Sequence, residues 1–406
     1  MGNLADKEWY EPTPVEWDIQ RMKNIMDPRE GRSELGEETL LSVTINEGII
    51  KRSTYLNDDE GGSRAESLIG YKTVSPSNLV NNIMKMSFRC LGISDFEGIV
   101  SPAYSVFNLR RSKIDPNYLN FLLRTDRYVF EYRKLSKGIQ ESRMRLYDDY
   151  FLAMKVVVPS LQEQQLISKY LDKKTKQVDS LVEKTQKKIE LLKEQRTSLI
   201  NQCVTKGLDP NVEMKDSGVE WIGEIPMSWG LIRLKYLFSL EGGKDPKLVE
   251  SEDGRYPILG TGGEISRSQD FLYDKPTLLL GRKGTIDKPF LVSEPFWVSD
   301  VMYYTVQKTE MTPDYLLKLF NLIPFGFYKY GSTQPSMSRK DYESMYFPSP
   351  NQEERQAITN YLNEESLIID YLIENETKRI SLLKEYRQSL ISSVVTGKVR
   401  ITEDMI

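Results

Sequence analysis

The most informative feature of this 406-residue sequence is an absence: it contains no histidine and only two cysteines, Cys90 and Cys203. Without histidine the chain has no Ser-His-Asp or Cys-His nucleophile pair, no HExxH zinc site and no histidine general base. Two cysteines by themselves form neither a disulfide framework nor a zinc site. Catalysis by carboxylates or lysines is not excluded, so an enzyme is less expected without being ruled out.

Long apolar runs are also missing. No stretch approaches the ~20 apolar residues that a membrane-spanning helix needs, and the N-terminal residues contain no apolar signal core. We therefore expect a cytoplasmic protein. The net charge is −4, from 55 Lys and Arg against 59 Asp and Glu. Because free-standing nucleic-acid-binding proteins are more often basic, DNA binding by this chain requires clustered positive charge or partners that supply it.

Motifs for phosphates and cofactors are weak throughout. Residues 281–285, Gly-Arg-Lys-Gly-Thr, lack the GxxxxGK[ST] spacing of a P-loop, and no helix pattern follows the glycines of residues 260–263. No motif for S-adenosylmethionine, ATP or a metal ion is recognisable. We therefore predict no catalytic residue, no metal ligand and no cofactor site in this chain.

An internal repeat organises the sequence. A shift of 191 residues aligns residues 159–205 with residues 350–396 without a gap, and 21 of the 47 aligned positions are identical. A fainter repeat, at an offset of 212, opens each half and matches Trp17 with Trp229. Between these markers the halves diverge almost completely. The order is therefore an opening motif, a variable region and a long repeated segment, followed by the same three again.

The long repeated segment predicts a helix in both copies. After its first residue, neither copy contains Gly or Pro before Gly207 and Gly397, where glycine can end a helix. Apolar residues recur at heptad spacing, in a stripe narrow enough to suit a single partner helix. The predicted seam residues are Val178, Val182, Ile189, Leu192, Arg196 and Leu199 in the first copy and Ile369, Ile373, Ile380, Leu383, Arg387 and Leu390 in the second.

The charges of the two copies indicate how they pair. Residues 159–205 carry 9 basic and 6 acidic side chains, whereas residues 350–396 carry 5 basic and 8 acidic side chains. Opposite net charges on similar helices favour pairing within one chain over self-association of either copy. The alternative is a solvated charged face that has no role in pairing.

Positive charge is clustered in the variable regions, which have the mixed pattern of short strands and helices. Residues 107–145 contain 10 basic and 4 acidic side chains, and several of these cations surround a loop with Gln and Ser. A counterpart lies in the second region, and such side chains suit phosphate or base-edge contacts. The alternative is that the interleaved aromatics are core residues and the cations are merely solvated. The candidate DNA contacts are Arg110, Arg111, Lys134, Lys137, Gln140, Ser142, Arg143, Arg145, Arg282, Lys283, Thr285, Lys329, Gln334, Ser336, Arg339 and Lys340.

Two variable regions, each followed by a long repeated helix, resemble the specificity subunit of bacterial Type I restriction–modification enzymes. The most specific elements are VPSLQEQQ at 158–165 before LLKEQRTSLI at 191–200, and PSPNQEER at 348–355 before LLKEYRQSLI at 382–391. The segments IVSPAYSVF and SKGI, which begin at Ile99 and Ser136, are also similar to first-domain sequences of that family. The likeness covers essentially the whole chain.

The resemblance implies an α+β fold. Two similar mixed α/β target-recognition domains would be separated by two long antiparallel coiled-coil helices, with an internal pseudo-two-fold repeat. It implies recognition domains at residues 1–158 and 208–349, a central spacer helix at 159–207, and a C-terminal spacer helix with a tail at 350–406.

The resemblance also implies a non-catalytic subunit that binds double-stranded DNA. Each domain would read one half of a bipartite target, while the helices space the domains and dock two methyltransferase subunits. The partners would carry the cofactors: S-adenosylmethionine in the adenine-methylating subunits, and ATP and Mg in the motor and restriction subunits. No membrane is implied. Two alternatives stay open, namely a stand-alone DNA-modifying enzyme and a helical scaffold that does not bind DNA.

Overall fold

The structure is a computed structural model that describes residues 13–45, 47–54, 67–138, 144–327 and 335–406. The chain divides into two compact units. Unit 1 comprises Met1–Thr185 and Lys378–Ile406, and unit 2 comprises Gln186–Thr377. Each unit therefore combines one variable region with segments of both repeated helices.

Unit 1 is rich in short strands. Within its described residues the strands are β1 (Asp18–Arg21), β2 (Met26–Pro28), β3 (Leu41–Thr44), β4 (Gly48–Lys51), β5 (Lys72–Val74), β6 (Leu79–Asn82), β7 (Leu91–Ile93), β8 (Gly98–Val100), β9 (Tyr104–Leu109) and β10 (Lys155–Val158). Its helices are α1 (Pro116–Leu123), α2 (Asp126–Leu135), α3 (Asp148–Ala153) and the first part of α4 (Leu161–Lys206), together with the last part of the second long helix, from Lys378.

Unit 2 follows the same plan. Its described strands are β11 (Met214–Asp216), β12 (Glu224–Pro226), β13 (Gly230–Arg233), β14 (Phe238–Gly242), β15 (Tyr256–Gly260), β16 (Gly263–Ser268), β17 (Thr277–Gly281), β18 (Phe290–Val292), β19 (Trp297–Val298), β20 (Met302–Gln307) and β21 (Tyr346–Ser349). Its helices are the last part of α4, from Gln186, then α5 (Leu234–Leu237), α6 (Pro313–Phe320), α7 (Arg339–Ser344) and the first part of α8 (Gln352–Val395). Single 3-10 turns occur at Met22–Asn24, Arg52–Thr54, Met86–Phe88, Pro246–Leu248, Phe325–Phe327 and Glu403–Met405.

Both units contain a four-stranded antiparallel sheet with an equivalent strand order. The order is β2-β9-β6-β7 in unit 1 and β14-β20-β17-β18 in unit 2. A separate two-stranded ladder joins the two ends of each variable region: β1 pairs with β10, and β13 pairs with β21. The smaller sheets are β3-β4, β5-β8, β11-β12 and β16-β15-β19, in which only the β15–β19 pair is parallel.

The first helix of each variable region is equivalent in the two units. The Asp115 side chain accepts a hydrogen bond from the Tyr118 N–H at the start of α1, and Thr312 does the same for the Tyr315 N–H at the start of α6. A proline occupies the first helical position in both, where its missing N–H costs nothing. Tyr118 and Tyr315 then enter the main apolar core of their own units. Burying an apolar side chain contributes about 1.5–3 kcal/mol, so these helices anchor their cores.

Two tryptophans of the opening repeat bind the starts of the long helices. The Trp17 Nε1–H donates to Glu163 Oε2 (3.0 Å) in unit 1, and the Trp229 Nε1–H donates to Glu354 Oε2 (2.8 Å) in unit 2. Both indoles are buried. These residues are therefore used for packing at the base of each long helix.

The long helices run antiparallel to each other inside each unit. In unit 1 the Arg387 Nε donates to Asp179 Oδ1 (2.8 Å), and in unit 2 the Arg196 Nη1 donates to Asp370 Oδ1 (2.8 Å). The two pairs are equivalent, because each residue of one pair lies 191 positions from a residue of the other. The 191-residue repeat thus places an equivalent ion pair in each unit.

The predicted seam residues are all shielded from solvent to some degree. Val178, Ile189, Leu192 and Ile369 are buried, and Val182, Arg196, Leu199, Ile373, Ile380, Leu383, Arg387 and Leu390 are partly buried. The predicted class, an α+β protein with an internal repeat and two long antiparallel helices, is confirmed. The domain boundaries predicted at residues 158, 207 and 349 stay predictions. Within the described residues, no helix is both long and apolar enough to cross a membrane.

Candidate nucleic-acid interface

The same end of both four-stranded sheets carries the segments that the sequence singles out. In unit 1 the Leu146 N–H donates to the Ile83 carbonyl just after β6 (2.9 Å). In unit 2 the Met337 N–H donates to the Arg282 carbonyl just after β17 (3.1 Å). Leu146 and Met337 are 191 residues apart in the repeat. Each chain segment that precedes α3 or α7 is therefore attached to the end of its sheet in the same way.

In unit 1, two candidate cations are paired through their backbones at this end. Lys137 and Arg145 exchange N–H···O hydrogen bonds of 2.9 Å in both directions, and both side chains are exposed. The Lys137 Nζ lies 5.1 Å from the centre of the Tyr150 ring, within the range of a cation–π contact. Lys134 is exposed in the last turn of α2, where a cation is favoured by the helix dipole.

In unit 2, a tight turn after β17 brings Arg282 and Lys283 beside Ser336. Lys283 and Ser336 form an isolated antiparallel bridge, and the Gly284 N–H donates to the Pro335 carbonyl (2.9 Å). A Cβ on Gly281 would lie 2.5 Å from the Thr285 carbonyl oxygen, so the turn requires glycine there. Both cations are exposed, as a phosphate contact requires.

The other unit 2 candidates that the structure describes lie around this turn. Thr285 is partly exposed within it, and Arg339 and Lys340 are exposed in the first turn of α7. That helix begins with a capping box between Ser338 and Asp341. The Arg339 Nη2 is 3.8 Å from Glu241 Oε2, a weak surface ion pair that leaves the guanidinium accessible.

Arg110 and Arg111 do not join this group. They follow β9 at the end opposite to Tyr104, and Tyr104 pairs with Asn82 next to the loop. Six residues of strand, at ~3.3 Å each, separate the two ends by about 20 Å. Arg110 instead makes a bidentate contact with Asp27, with Nη2···Oδ1 at 2.7 Å. This contact lowers the pKa of the Asp27 carboxyl and gives Arg110 a structural partner.

Five candidates lie outside the described residues. They are Gln140, Ser142 and Arg143 in the first loop and Lys329 and Gln334 in the second. Their assignment as DNA contacts stays a prediction.

The interior beneath the unit 1 loop is polar, which the sequence did not indicate. The Ser105 Oγ donates to the Asp148 carboxylate at the start of α3. Asn81, paired with Ser105 in the sheet, is fully buried, and within the described residues neither polar atom of its amide has a hydrogen-bond partner. In unit 2 the paired positions hold Leu280 and Tyr303. The period-two pattern of a strand shows which side chains share a face, but not what they meet there.

A further cation, Lys72, lies beside these polar residues. The Lys72 Nζ donates to the Tyr104 carbonyl (2.5 Å) and lies within electrostatic range of Asp148. Burial lowers the pKa of Lys72. No local signal in the sequence marks Lys72, because Tyr104 and Asp148 lie 32 and 76 residues away along the chain.

The arrangement is suited to binding polyanions. Exposed Lys and Arg side chains and hydroxyls at one end of a sheet are what phosphate and base-edge contacts need. Among the described residues, no group of three or more acidic or cysteine side chains is placed to hold a metal ion.

Comparisons with known proteins relate this chain to DNA specificity subunits. Residues 226–385 match the family described as the Type I restriction modification DNA specificity domain. The chain is also 24% identical to a protein of Methanocaldococcus jannaschii assigned as the specificity subunit of the type I restriction enzyme MjaX. That match covers 96% of this chain and 95% of the relative.

Two solved structures share the fold. One, from a study of complex assembly and conformational transition in the type I R-M system, has a TM-score of 0.75 at 14% identity and covers 95% of this chain and 99% of its own. The other is the HsdS subunit of Thermoanaerobacter tengcongensis, with a TM-score of 0.57 at 15% identity, covering 95% and 98%. The class is therefore an internally repeated, two-unit protein with a DNA specificity domain. Residues 226–385 match the DNA specificity domain of Type I restriction–modification systems, and the whole chain is similar to specificity subunits, as the sequence motifs indicated.

Proposed function

We propose that this chain is the DNA-recognition subunit of a Type I restriction–modification complex, and that each unit reads one half of a bipartite target. The observation that carries the proposal is the repeated attachment of a basic segment to the same end of two equivalent sheets, through Leu146 in unit 1 and Met337 in unit 2. Two equivalent frames with different side chains are what two different half-sites require.

The proposal assigns positioning and reading to different residues. Exposed cations such as Lys137, Arg145, Arg282 and Lys283 contact phosphates and fix the orientation of each unit on the duplex. Polar side chains of the loops, including Gln140 and Gln334, read base edges, because an amide can pair bidentately with adenine. The seam residues hold the two long helices together, and the length of these helices sets the gap between the half-sites.

In this proposal the chain has no catalytic role of its own. Two methyltransferase subunits bring S-adenosylmethionine and methylate adenine, and restriction subunits bring ATP and Mg for translocation and cleavage. The complex acts on double-stranded DNA in the cytoplasm. The predicted recognition domains at 1–158 and 208–349, and the spacer segments at 159–207 and 350–406, belong to the same proposal.

A region-exchange experiment tests the proposal. The chain is co-expressed with its methyltransferase subunit, and methylated adenines are mapped in the host DNA. Replacing residues 236–349 with the corresponding region of a relative should change one half of the methylated sequence and leave the other half and the gap unchanged.

Three outcomes contradict the proposal. Methyl transfer or cleavage by the purified chain alone would favour a stand-alone enzyme. The absence of any sequence-dependent DNA binding by the assembled complex would favour a scaffold. A change in both half-sites after the exchange would show that the units do not read independently.

A further inference from the structure

The β15–β16 hairpin of unit 2 ends in a turn that consists almost entirely of glycine. Gly260 pairs with Gly263 at the end of the ladder, and only Thr261 and Gly262 lie between them. Thr261 is partly exposed and Gly262 is exposed. A Cβ added at Gly262 or Gly263 would have no neighbour within 4 Å among the described residues. The backbone of this turn, which we call the hairpin tip (residues 260–263), is therefore open to the close approach of a ligand.

The hairpin tip lies beside the candidate cations of unit 2. A Cβ on Gly284 would lie 3.3 Å from the Thr261 Oγ1, so the tip contacts the turn after β17. That turn carries the exposed Arg282 and Lys283. It also contacts the segment before α7, because the Gly284 N–H donates to the Pro335 carbonyl (2.9 Å). Three segments that are remote in sequence thus meet at one end of unit 2.

A small apolar core holds the hairpin in place. β15 is the middle strand of the β16-β15-β19 sheet, and close to the tip the Ser299 N–H donates to the Leu259 carbonyl (3.0 Å). Leu259 and Val298 belong to a buried apolar cluster that also contains Phe296 and Met302. A hairpin that is fixed in this way presents its tip in one orientation, as a recognition element requires.

The shape and charge of the hairpin suit the major groove of DNA. This groove is about 12 Å wide and 8.5 Å deep and admits a two-stranded β-ribbon. Residues 255–268 contain two arginines and one acidic residue, Glu264. The Arg267 Nε donates to the Glu264 Oε1 (3.0 Å), which offsets the charge of that carboxylate. The ribbon therefore brings no net negative charge to the phosphates.

A small phosphate ligand fits the hairpin tip less well than duplex DNA does. Sites for small molecules are concave and bury most of the ligand surface. Gly262 and Gly263 have no such enclosure, because a Cβ at either position would meet nothing within 4 Å among the described residues. An open tip is suited instead to insertion into the groove of a larger partner.

Unit 1 has an equivalent hairpin with a different tip. The β3–β4 hairpin follows the first strand of its central sheet, as β15–β16 does, and Leu40 forms a parallel bridge with Ile99, as β15 does with β19. Its tip carries Ile45 and the exposed Glu47. The Arg124 Nη2 donates to the Ile45 carbonyl (2.6 Å). A carboxylate and an occupied carbonyl do not suit close approach to DNA, so we restrict the inference to unit 2.

We infer that the β15–β16 hairpin enters the major groove of the DNA, and that Thr261 reads one base pair of the half-site of unit 2. The inference rests on the proposed function, which supplies the DNA. The glycines at positions 262 and 263 let the backbone come close to the base edges. Thr261 offers a hydroxyl and a methyl group, the two groups through which threonine contacts bases. Unit 2 thus reads its half-site with a hairpin as well as with the loop that precedes α7.

Two substitutions in the assembled methyltransferase complex test the inference. Gly262→Val adds a side chain where unit 2 has open space and where φ is not positive, so the free energy of unfolding should not change. By preventing close approach it should lower the affinity for the target at least about tenfold. Thr261→Val replaces the hydroxyl with a methyl group of similar size. It should change the preference at one base pair of this half-site by about threefold to tenfold.

Fluorescence anisotropy with the target duplex and with each of its single-base variants measures both effects. Gly230→Val is the matched control. Gly230 is also exposed and has no neighbour within 4 Å of an added Cβ, but it lies in the β13–β21 ladder. The same substitution there should leave the affinity for DNA unchanged.

The outcomes separate this inference from the proposed function. An unaltered affinity in Gly262→Val, or an unaltered base preference in Thr261→Val, would overturn the inference and leave the proposed function intact. A loss in Gly262→Val that Gly230→Val matches would also overturn it, as would a loss in Thr261→Val that is equal on every sequence. If the unchanged complex shows no sequence preference, both proposals fail.

Discussion

The two units share the same strand pairing and differ in the side chains packed inside their central sheets. The central strand pairs are in the same register, yet this register aligns Asn81 with Ser105 in unit 1 and Leu280 with Tyr303 in unit 2. The ladder that joins the ends of each variable region is also equivalent, because β1–β10 and β13–β21 pair identical repeat positions. The comparison teaches that the same backbone pairing accommodates a polar pair of side chains in one unit and an apolar–aromatic pair in the other.

A second difference concerns one buried hydroxyl in each unit. The Tyr118 Oη–H donates to the Val157 carbonyl (3.0 Å) in unit 1. Its equivalent in unit 2, Tyr315, is also buried, but within the described residues its hydroxyl has no hydrogen-bond partner. Burial raises the pKa of both phenols, so both stay neutral. The hydroxyl of the equivalent tyrosine thus has a hydrogen-bond partner in unit 1 and none among the described residues of unit 2.

The largest expected effect comes from exchanging the residues at the paired sheet position. Leu280→Asn should lower the free energy of unfolding of unit 2 by about 3–5 kcal/mol, because it removes buried apolar contacts and buries an amide without a partner. Asn81→Leu in unit 1 should be neutral or stabilise by about 1 kcal/mol. Urea unfolding of both variants measures the difference, and a marked loss of stability in Asn81→Leu would show that the amide is bonded.

The tyrosine pair should give a smaller contrast. Tyr118→Phe should cost about 1–2 kcal/mol, because it leaves the Val157 carbonyl without its side-chain donor. Tyr315→Phe should be neutral or slightly stabilising, since it removes a buried hydroxyl that has no partner among the described residues. Thermal unfolding of the two variants suffices, and equal losses would contradict the contrast.

Next in size is the contribution of single cations to DNA affinity. Lys137→Ala in unit 1 and Arg282→Ala in unit 2 should each weaken binding of the assembled complex to its target and lower the salt slope by about 1. Arg111→Ala should leave both quantities unchanged, because Arg111 lies near the opposite end of β9. Fluorescence anisotropy over a range of salt concentrations is the measurement. An effect of Arg111→Ala equal to that of Lys137→Ala would show that the DNA interface also includes the opposite end of β9.

The smallest expected effect concerns the equivalent ion pairs of the long helices. Arg196→Asp, which faces Asp370, and Arg387→Asp, which faces Asp179, should each cost no more than about 1 kcal/mol, because these pairs are half-exposed. The swapped pair R196D/D370R should recover most of the loss. A double-mutant cycle measures this, and a coupling energy near zero would show that the seam is held by its apolar residues alone.

The long helices could be predicted from the sequence because their signal is local. Heptad spacing and the absence of Gly and Pro define a helix within a few turns, and α4 at Leu161–Lys206 lies within the predicted segment. Arg196 and Arg387 occupy seam positions in that pattern. The opposite net charges of the two copies indicated that they pair with each other.

The strand-rich regions could not be predicted in the same detail, because their contacts are non-local. The partner of Arg110 is Asp27, 83 residues away, and the Lys72 Nζ donates to the Tyr104 carbonyl, 32 residues away. Strands of three to six residues carry too little periodicity to define the order of a four-stranded sheet. The position of Arg282 beside Ser336 likewise depends on a turn and a loop that meet only in the folded unit.

The ladders that join the ends of the variable regions have a consequence for how such proteins diversify. Asp18 and Val158 are paired neighbours, although 139 residues lie between them along the chain, and Gly230 and Ser349 are paired in the same way. Paired residues in an antiparallel ladder have Cα atoms only about 4.5–5.5 Å apart. The two ends of a variable region therefore lie side by side. Recombination at the flanking repeats can insert a region of different length and sequence without changing the ladder that joins its ends. New target sequences can arise in one genetic step, because the frame does not have to evolve again with each exchange.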